Sequence, residues 1–322
     1  MVNVEQTVES EGAPSPFLPG TDIQYALDST SIGYFKRCPR LYYYTMIEGW
    51  RQKNESIHLK FGSLFHEALH NYDLVRQEGE DHDDGVYQVV KWLSDYAADY
   101  PDVSENKASE RAKSFEGLLR TVVWYLDQYS SEKDPAKTVI LSNGKPACEL
   151  SFRFELDWGP SEQPYLLCGH LDRVVEYADH TFVMDHKTTT RPLTAFYFDQ
   201  FQPDNQMSLY TIAGKIVLGS PVRGVIVDAV QIKEKEKGIE FARGFTYRTE
   251  DQNEEWLRDL RHWTIAMEGC ATSGSWPMND TACDKYGGCP FRNVCSKSPS
   301  VRERFLEADF ERSEPWNPLA VR

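Results

Sequence analysis

The 322-residue sequence predicts an α/β fold, with a mixed central sheet flanked by helices and an extra lobe formed where the two ends of the chain join. Three observations carry this. Amphipathic helical stretches fill the first third of the chain after residue 28. Strand-like runs dominate 138–189, and two of them form a hairpin. Helical and strand patterns then follow one another up to the last cysteines.

Residues 1–27, rich in Glu, Pro and Gly with little periodicity, are expected to form a flexible leader. Ser29, Thr30 and Ser31 can cap a helix running through Ile32, Phe35, Tyr42 and Met46. A second helix from about 60 buries Leu64, Phe65, Ala68, Leu69 and Tyr72. Two more are expected over 86–96 and 108–129, the latter with Phe115, Leu118, Leu119, Val122 and Leu126 on its apolar face. Residues 138–141 turn at Asn143-Gly144 into a strand over 147–156, where Leu150, Phe152, Phe154 and Leu156 alternate with polar residues. A helix over 204–218 places Gln206 and Tyr210 on one face, four residues apart. Strands are expected over 222–232 and 244–247 with a solvated tip over 233–238, then a helix over 253–269.

The chain is organised around the hairpin 167–176 and 181–188. With Asp179-His180 as its turn, Ala178 faces Thr181 and Asp172 sits opposite Lys187, with Asp185 diagonally beside it. Side chains alternate along a strand, so Asp172, Asp185 and Lys187 share one face. Two carboxylates and a lysine there suit a divalent metal and a phosphate. The plainer alternative is a surface strand with a single ion pair. Glu149 could reach this face if its strand neighbours the hairpin, although a solvent-facing glutamate is the simpler expectation. Asp157, Asp199 and Asp204 read as surface residues.

The net charge of −15 excludes a generally basic surface, so contacts to an anionic polymer must come from local clusters. Lys36, Arg37 and Arg40 flank Cys38; Arg292, Lys297, Arg302 and Arg304 surround Cys295. No apolar run reaches membrane-spanning length, and the acidic N-terminus lacks a signal-peptide layout. Seven cysteines, an odd number, argue against a fully paired disulfide framework, and the expected location is cytoplasmic. Cys283, Cys289 and Cys295 are evenly spaced in a Gly- and Pro-containing loop that can wrap a small object. A fourth thiolate is needed, with Cys38 the candidate and Cys270 in reserve; Cys148 and Cys168 read as core thiols. A Cys₄ zinc site fits the same residues.

Gly169-His170-Leu171-Asp172 followed by Asp185-His186-Lys187 resembles motifs II and III of the PD-(D/E)XK nuclease superfamily. Two further marks of its RecB-like branch are matched by His66 in Gly62-Ser-Leu-Phe-His66 and by Gln206-x-x-x-Tyr210. Phe35-Lys-Arg-Cys38-Pro-Arg-Leu-Tyr-Tyr, with the three late cysteines, resembles the branch that carries an iron–sulfur cluster, including CRISPR-associated RecB-like nucleases. The spacing between Cys283 and Cys289 exceeds that of the branch's usual first pair.

The resemblance implies a restriction-endonuclease-like core over 28–300, a cluster lobe from 28–60 and 270–300, and a tail over 301–322. It implies metal-dependent hydrolysis of DNA, single-stranded or with free ends, in recombination, repair or replication, with a helicase or recombination protein as possible partner. Mg²⁺ or Mn²⁺ would be held by His66, Asp172, Asp185 and the His186 carbonyl, with Lys187, Gln206 and Tyr210 acting on substrate. A [4Fe–4S] cluster would be held by Cys38, Cys283, Cys289 and Cys295, or zinc in its place. Lys36, Arg37, Arg40 and Arg292, with Gln206 and Tyr210, would contact the strand. One alternative is a non-catalytic DNA-end-binding or helicase-partner module on the same fold. Another is a zinc protease, from the H-E-x-x-H match at His66-Glu67-Ala-Leu-His70.

Overall fold

The structure, a computed structural model, describes residues 14–53, 56–103, 108–130, 132–234, 239–284 and 288–320. In chain order the elements begin with β1 (Ala26–Leu27), α1 (Ser29–Arg37), α2 (Pro39–Tyr42), a π-helical turn at Tyr43–Ile47 and β2 (Trp50–Gln52). Four helices follow: α3 (Ile57–Gln77), α4 (His82–Ser94), α5 (Ala108–Arg111) and α6 (Phe115–Gln128). The strands β3 (Lys137–Thr138), β4 (Cys148–Glu155), β5 (Leu166–Tyr177) and β6 (His180–Thr189) lead to α7 (Ala195–Asp199) and α8 (Asn205–Leu218). The chain continues through β7 (Val225–Gln231), β8 (Glu240–Thr246), α9 (Glu250–Ser273), α10 (Arg292–Cys295), α11 (Arg302–Asp309) and β9 (Phe310–Arg312). This is a mixed α/β fold with a central mixed sheet flanked by helices.

The described residues fall into two compact units, one within 1–54, 151–169 and 249–322, the other within 55–150 and 170–248. In the second unit, β5 and β6 pair antiparallel, β6 and β7 parallel, and β7 and β8 antiparallel. The β6-to-β7 connection through α7 and α8 is the crossover that parallel neighbours require. On one face of this sheet Val230 and Ile232 pack under Phe61, Leu64 and Phe65 of α3 and Leu118, Val122 and Leu126 of α6. On the other face Gly214 of α8 lies so near Val183 that a Cβ there would come within 2.7 Å of it. The first unit holds β1 in parallel with Leu166 and Leu167, and β2 antiparallel to β9. Its apolar core joins Cys38, Leu41, Tyr44 and Trp50 to Phe291, Val294, Leu306 and Phe310. Among the described residues, no helix is long and apolar enough to cross a membrane.

Several expected boundaries move, each for a local reason. The first helix is capped by Asp28, not by Ser29–Ser31: its carboxylate accepts from the Ser31 N–H, and the Ser31 hydroxyl oxygen accepts from the Asp28 N–H. The helix does not run on to Met46. Cys38 is extended (φ −166°, ψ 117°) because it precedes Pro39, whose ring disfavours the helical region for its neighbour. The expected helix over 108–129 is two, since Ser114 is extended and caps α6 by accepting from the Gly117 N–H.

The hairpin turn is Ala178-Asp179, both at positive φ as a type I′ turn demands, so His180 pairs with Tyr177. The register therefore slips by two, which preserves every face and places Asp172 level with Asp185 rather than Lys187. Residues 302–312 of the expected tail hold α11 and β9, and Gly49 (φ 70°) packs where a Cβ would meet the Ser313 carbonyl. Residues 1–13 of the expected leader and 235–238 of the expected tip lie outside the described residues.

Candidate active site

The site of the second unit forms where β5 and β6 part. Their ladder ends at Arg173 and Met184, and the next backbone donor on β6, the His186 N–H, donates instead to Asp172 Oδ2 at 2.9 Å. Asp185 and Lys187 point to the α8 face; Lys187 Nζ lies 2.7 Å from Asp185 Oδ2 and donates to Gln206 Oε1 at 2.9 Å. Gln206 Nε2 donates in turn to the Tyr210 hydroxyl at 2.9 Å, one helical turn on. Asp204, expected on the surface, is the N-cap of α8: it accepts from the Met207 N–H and so fixes where Gln206 starts the helix.

His66 of α3 brings its Nδ1 to 3.2 Å from Asp172 Oδ2. His66, Glu149 and Asp172 each offer a ligand atom, all within 4.8 Å of one another, the one such group found among the described residues. Glu149 thus stands at the site and not in open solvent. The signal available was adjacency, because β4 pairs with β5; the obstacle was its backbone, held at φ 46°. His70, the second histidine of the H-E-x-x-H match, is not part of this group. The His186 ring lies 5.8 Å from that of Tyr125 and 5.9 Å from that of His66, with its Nδ1 3.7 Å from Asp172 Oδ2.

Electrostatics separate the two aspartates. Burial pushes Asp172 up, but the His66 charge and hydrogen bonds from His186 and His66 outweigh it and hold the carboxyl well below its ordinary range. Asp185 is raised, chiefly by burial and then by the charge of Asp172, with Lys187 opposing. For Lys187 burial acts downward, and the Asp185 and Asp172 charges more than reverse it, so the ammonium is retained. One imidazole nitrogen amid carboxylate oxygens suits Mg²⁺ or Mn²⁺, so the residues present fit such a cation.

The first unit places Cys38, Cys289 and Cys295 in one apolar core, with Cys283 joined to Cys289 through the backbone. Cys38 Sγ accepts from the Asn279 N–H at 3.3 Å, and the Cys289 N–H donates to the Cys283 carbonyl at 2.8 Å. Cys289 and Cys295 pack against the same core as Cys38. The Cys289 thiol is raised by burial, and Cys283 and Cys38 act on it electrostatically; burial pushes Cys295 up to about 11, with Cys289 and Cys38 contributing. Cys38, Cys289 and Cys295, sharing one core, are donors of the kind a thiolate-held centre takes once deprotonated. Cys270 stands on α9, and burial is the only cause found for its shift. Among the expected basic contacts, Arg40 donates to the Trp276 carbonyl, Lys36 lies 5.7 Å over the Trp263 ring, and Arg292 is paired with Asp284. Arg37 acts electrostatically on Cys289.

No curated protein matches the chain. Among solved structures, a candidate exonuclease from Eubacterium rectale is similar at 10% identity and a TM-score of 0.46, covering 81% of this chain and 86% of that one. SSO0001 is similar at 15% identity and a TM-score of 0.28, covering 66% and 84%. The model of one family matches residues 29–296, most of the chain and every site residue described above. By that match the chain belongs to the PD-(D/E)XK nuclease superfamily.

Proposed function

We propose that this nuclease is a deoxyribonuclease of the RecB-like branch, an exonuclease preferring single strands or free ends, working in recombination, repair or replication beside a helicase or recombination partner. The observation that carries the reading is the linked pair of groups in one unit. His66, Glu149 and Asp172 converge on one point, and Asp185, Lys187, Gln206 and Tyr210 form a continuous chain beside it.

His66, Asp172 and Glu149 would hold Mg²⁺ or Mn²⁺, with Asp185 and the His186 carbonyl completing the protein share. When bound, the cation supplies Lewis acidity and lowers the pKa of water. Lys187 keeps its proton and is held on both sides, so it can orient the attacking water and offset charge building on the phosphoryl oxygens. Gln206 fixes the ammonium, and Tyr210 fixes Gln206. Such pre-set dipoles act where charge develops and need no reorganisation during the step.

The clustering of Cys38, Cys283, Cys289 and Cys295 supports a [4Fe–4S] centre in the other unit, with zinc the alternative for the same donors. Lys36, Arg37, Arg40 and Arg292 would lend that unit local positive charge for the strand.

The test is anaerobically purified protein with Mn²⁺ and end-labelled DNA. Cleavage by the wild type and none by Lys187→Ala supports the reading; equal turnover by both contradicts it. A broad visible absorbance band distinguishes iron–sulfur from colourless zinc.

A further inference from the structure

Among the described residues, Phe196 and Leu59 are the most exposed large apolar side chains, at 74% and 73%. Isolated exposed apolar residues are ordinary on a soluble protein and need no explanation. The placement of these two is what calls for one. Both belong to the second unit, Leu59 on the helix that carries His66 and Phe196 on the one that carries Tyr197.

Phe196 lies on α7, next to Tyr197, which is buried and within electrostatic reach of both Lys187 and Asp185. Exposed Arg191, at the exit of β6, holds its guanidinium 5.9 Å over the Tyr197 ring. Leu59 lies on α3 seven residues before His66, almost two full turns, and so on the same helical face. Between them on that face is Gly62, where a Cβ would stand 4.0 Å from the Thr188 hydroxyl, one residue beyond Lys187. One exposed apolar side chain thus stands on the helix of His66 and another on the helix whose Tyr197 neighbours Lys187, with a cation by the latter.

Resting on the nuclease reading, we propose that Phe196 and Leu59 are platforms for unpaired bases on either side of the scissile phosphate, with Arg191 neutralising a neighbouring phosphate. The substrate class this selects is a single strand. Every base has a π-face, so an aromatic or flat apolar platform receives any unpaired base without reading sequence. A base inside a duplex is already stacked and gains nothing from it. Arg191 serves a single strand and a duplex alike, so the discrimination rests on the two apolar residues.

The test is binding of a fluorescent oligothymidylate, its abasic counterpart of equal length, and a blunt duplex, each with Ca²⁺ in place of Mn²⁺. Phe196→Ala and Leu59→Ala should each weaken oligothymidylate binding about tenfold while leaving the abasic strand and the duplex unchanged. In cleavage assays KM should rise with kcat little altered. Phe196→Trp should retain wild-type affinity. Tyr87→Ala, at a residue 67% exposed on another helix, should bind all three probes as the wild type does. Oligothymidylate binding unchanged in both alanine variants overturns the proposal. So does an equal loss on the abasic strand, or an equal loss in Tyr87→Ala. Failure of the wild type to cleave any DNA would instead overturn the nuclease reading, and the three binding comparisons would still be readable.

Discussion

The two units build their chemical groups in opposite ways. The carboxylate site is assembled from a hairpin, one crossover helix and one preceding helix, and its polar atoms are tied to one another: Asp185 to Lys187, Lys187 to Gln206, Gln206 to Tyr210. The cysteine group draws Cys38 from one end of the chain and three thiols from the other; Cys38, Cys289 and Cys295 share apolar packing, with backbone contacts at Asn279 and Cys283. A site tied by its own hydrogen bonds can lose a member and keep its surroundings. One that closes the chain on itself makes stability depend on its occupant.

The largest expected effect is therefore on the cysteines. A centre linking Cys38 to Cys283 closes a loop on the order of 250 residues, worth about 5 kcal/mol in the chain-entropy picture. Cys38→Ser should lose bound metal and melt at a markedly lower temperature, and DNA binding should weaken with it. Full metal content with an unchanged melting temperature would remove Cys38 from the ligand set and make Cys270 the next residue to test.

Lys187→Ala should act the other way, lowering kcat by roughly 10³-fold while the melting temperature stays near that of the wild type. Its partner Asp185 should tolerate the loss, because a carboxyl raised by burial can take up a proton. A large fall in melting temperature would mean that this site, too, holds the fold together.

A third effect is confined to the second unit and involves no ligand. Lys113 is 6% exposed beneath helices α3 and α6, its ammonium 5.3 Å over the Phe61 ring, and burial pushes its pKa down to about 8. An unfolded lysine holds its proton to about 10.4. Between those values the unfolded chain binds more protons, so stability rises with pH there, by at most about 3 kcal/mol from this group. Below pH 8 the buried charge is a penalty in full. Lys113→Met should raise stability at pH 7 and flatten the rise between about pH 8 and 10; urea melts across that range, compared with the wild type, check both.

The smallest effect concerns Glu149. Glu149→Gln keeps the shape and removes one anionic donor, so Mn²⁺ affinity measured by calorimetry should fall by about tenfold. Unaltered affinity would leave His66 and Asp172 as the donors and Glu149 as a bystander.

What was legible in the sequence follows the same division. The hairpin carboxylates and Lys187 could be placed on one face because parity survives a two-residue slip: the turn moved from Asp179-His180 to Ala178-Asp179 and no side chain changed sides. Gln206 and Tyr210 followed from helical spacing alone. Glu149 was not legible as a site residue, since a positive-φ glutamate on a strand breaks the alternation from which its direction would be read. The break at Cys38 is written in Pro39, although the apolar period runs on through Met46. That Cys38 shares a core with Cys289 and Cys295 rests on packing between opposite ends of the chain, which local pattern does not encode.

The central claim is that His66, Glu149 and Asp172 hold the cation beside a Lys187 charged for phosphoryl chemistry. The most direct measurement is Mn²⁺ titration of purified wild type and Asp172→Asn, following cation binding by electron paramagnetic resonance and strand cleavage on the same samples. Wild type should bind Mn²⁺ and cleave in parallel with occupancy, while Asp172→Asn should stay folded and lose both. Wild-type binding and cleavage by Asp172→Asn would contradict it.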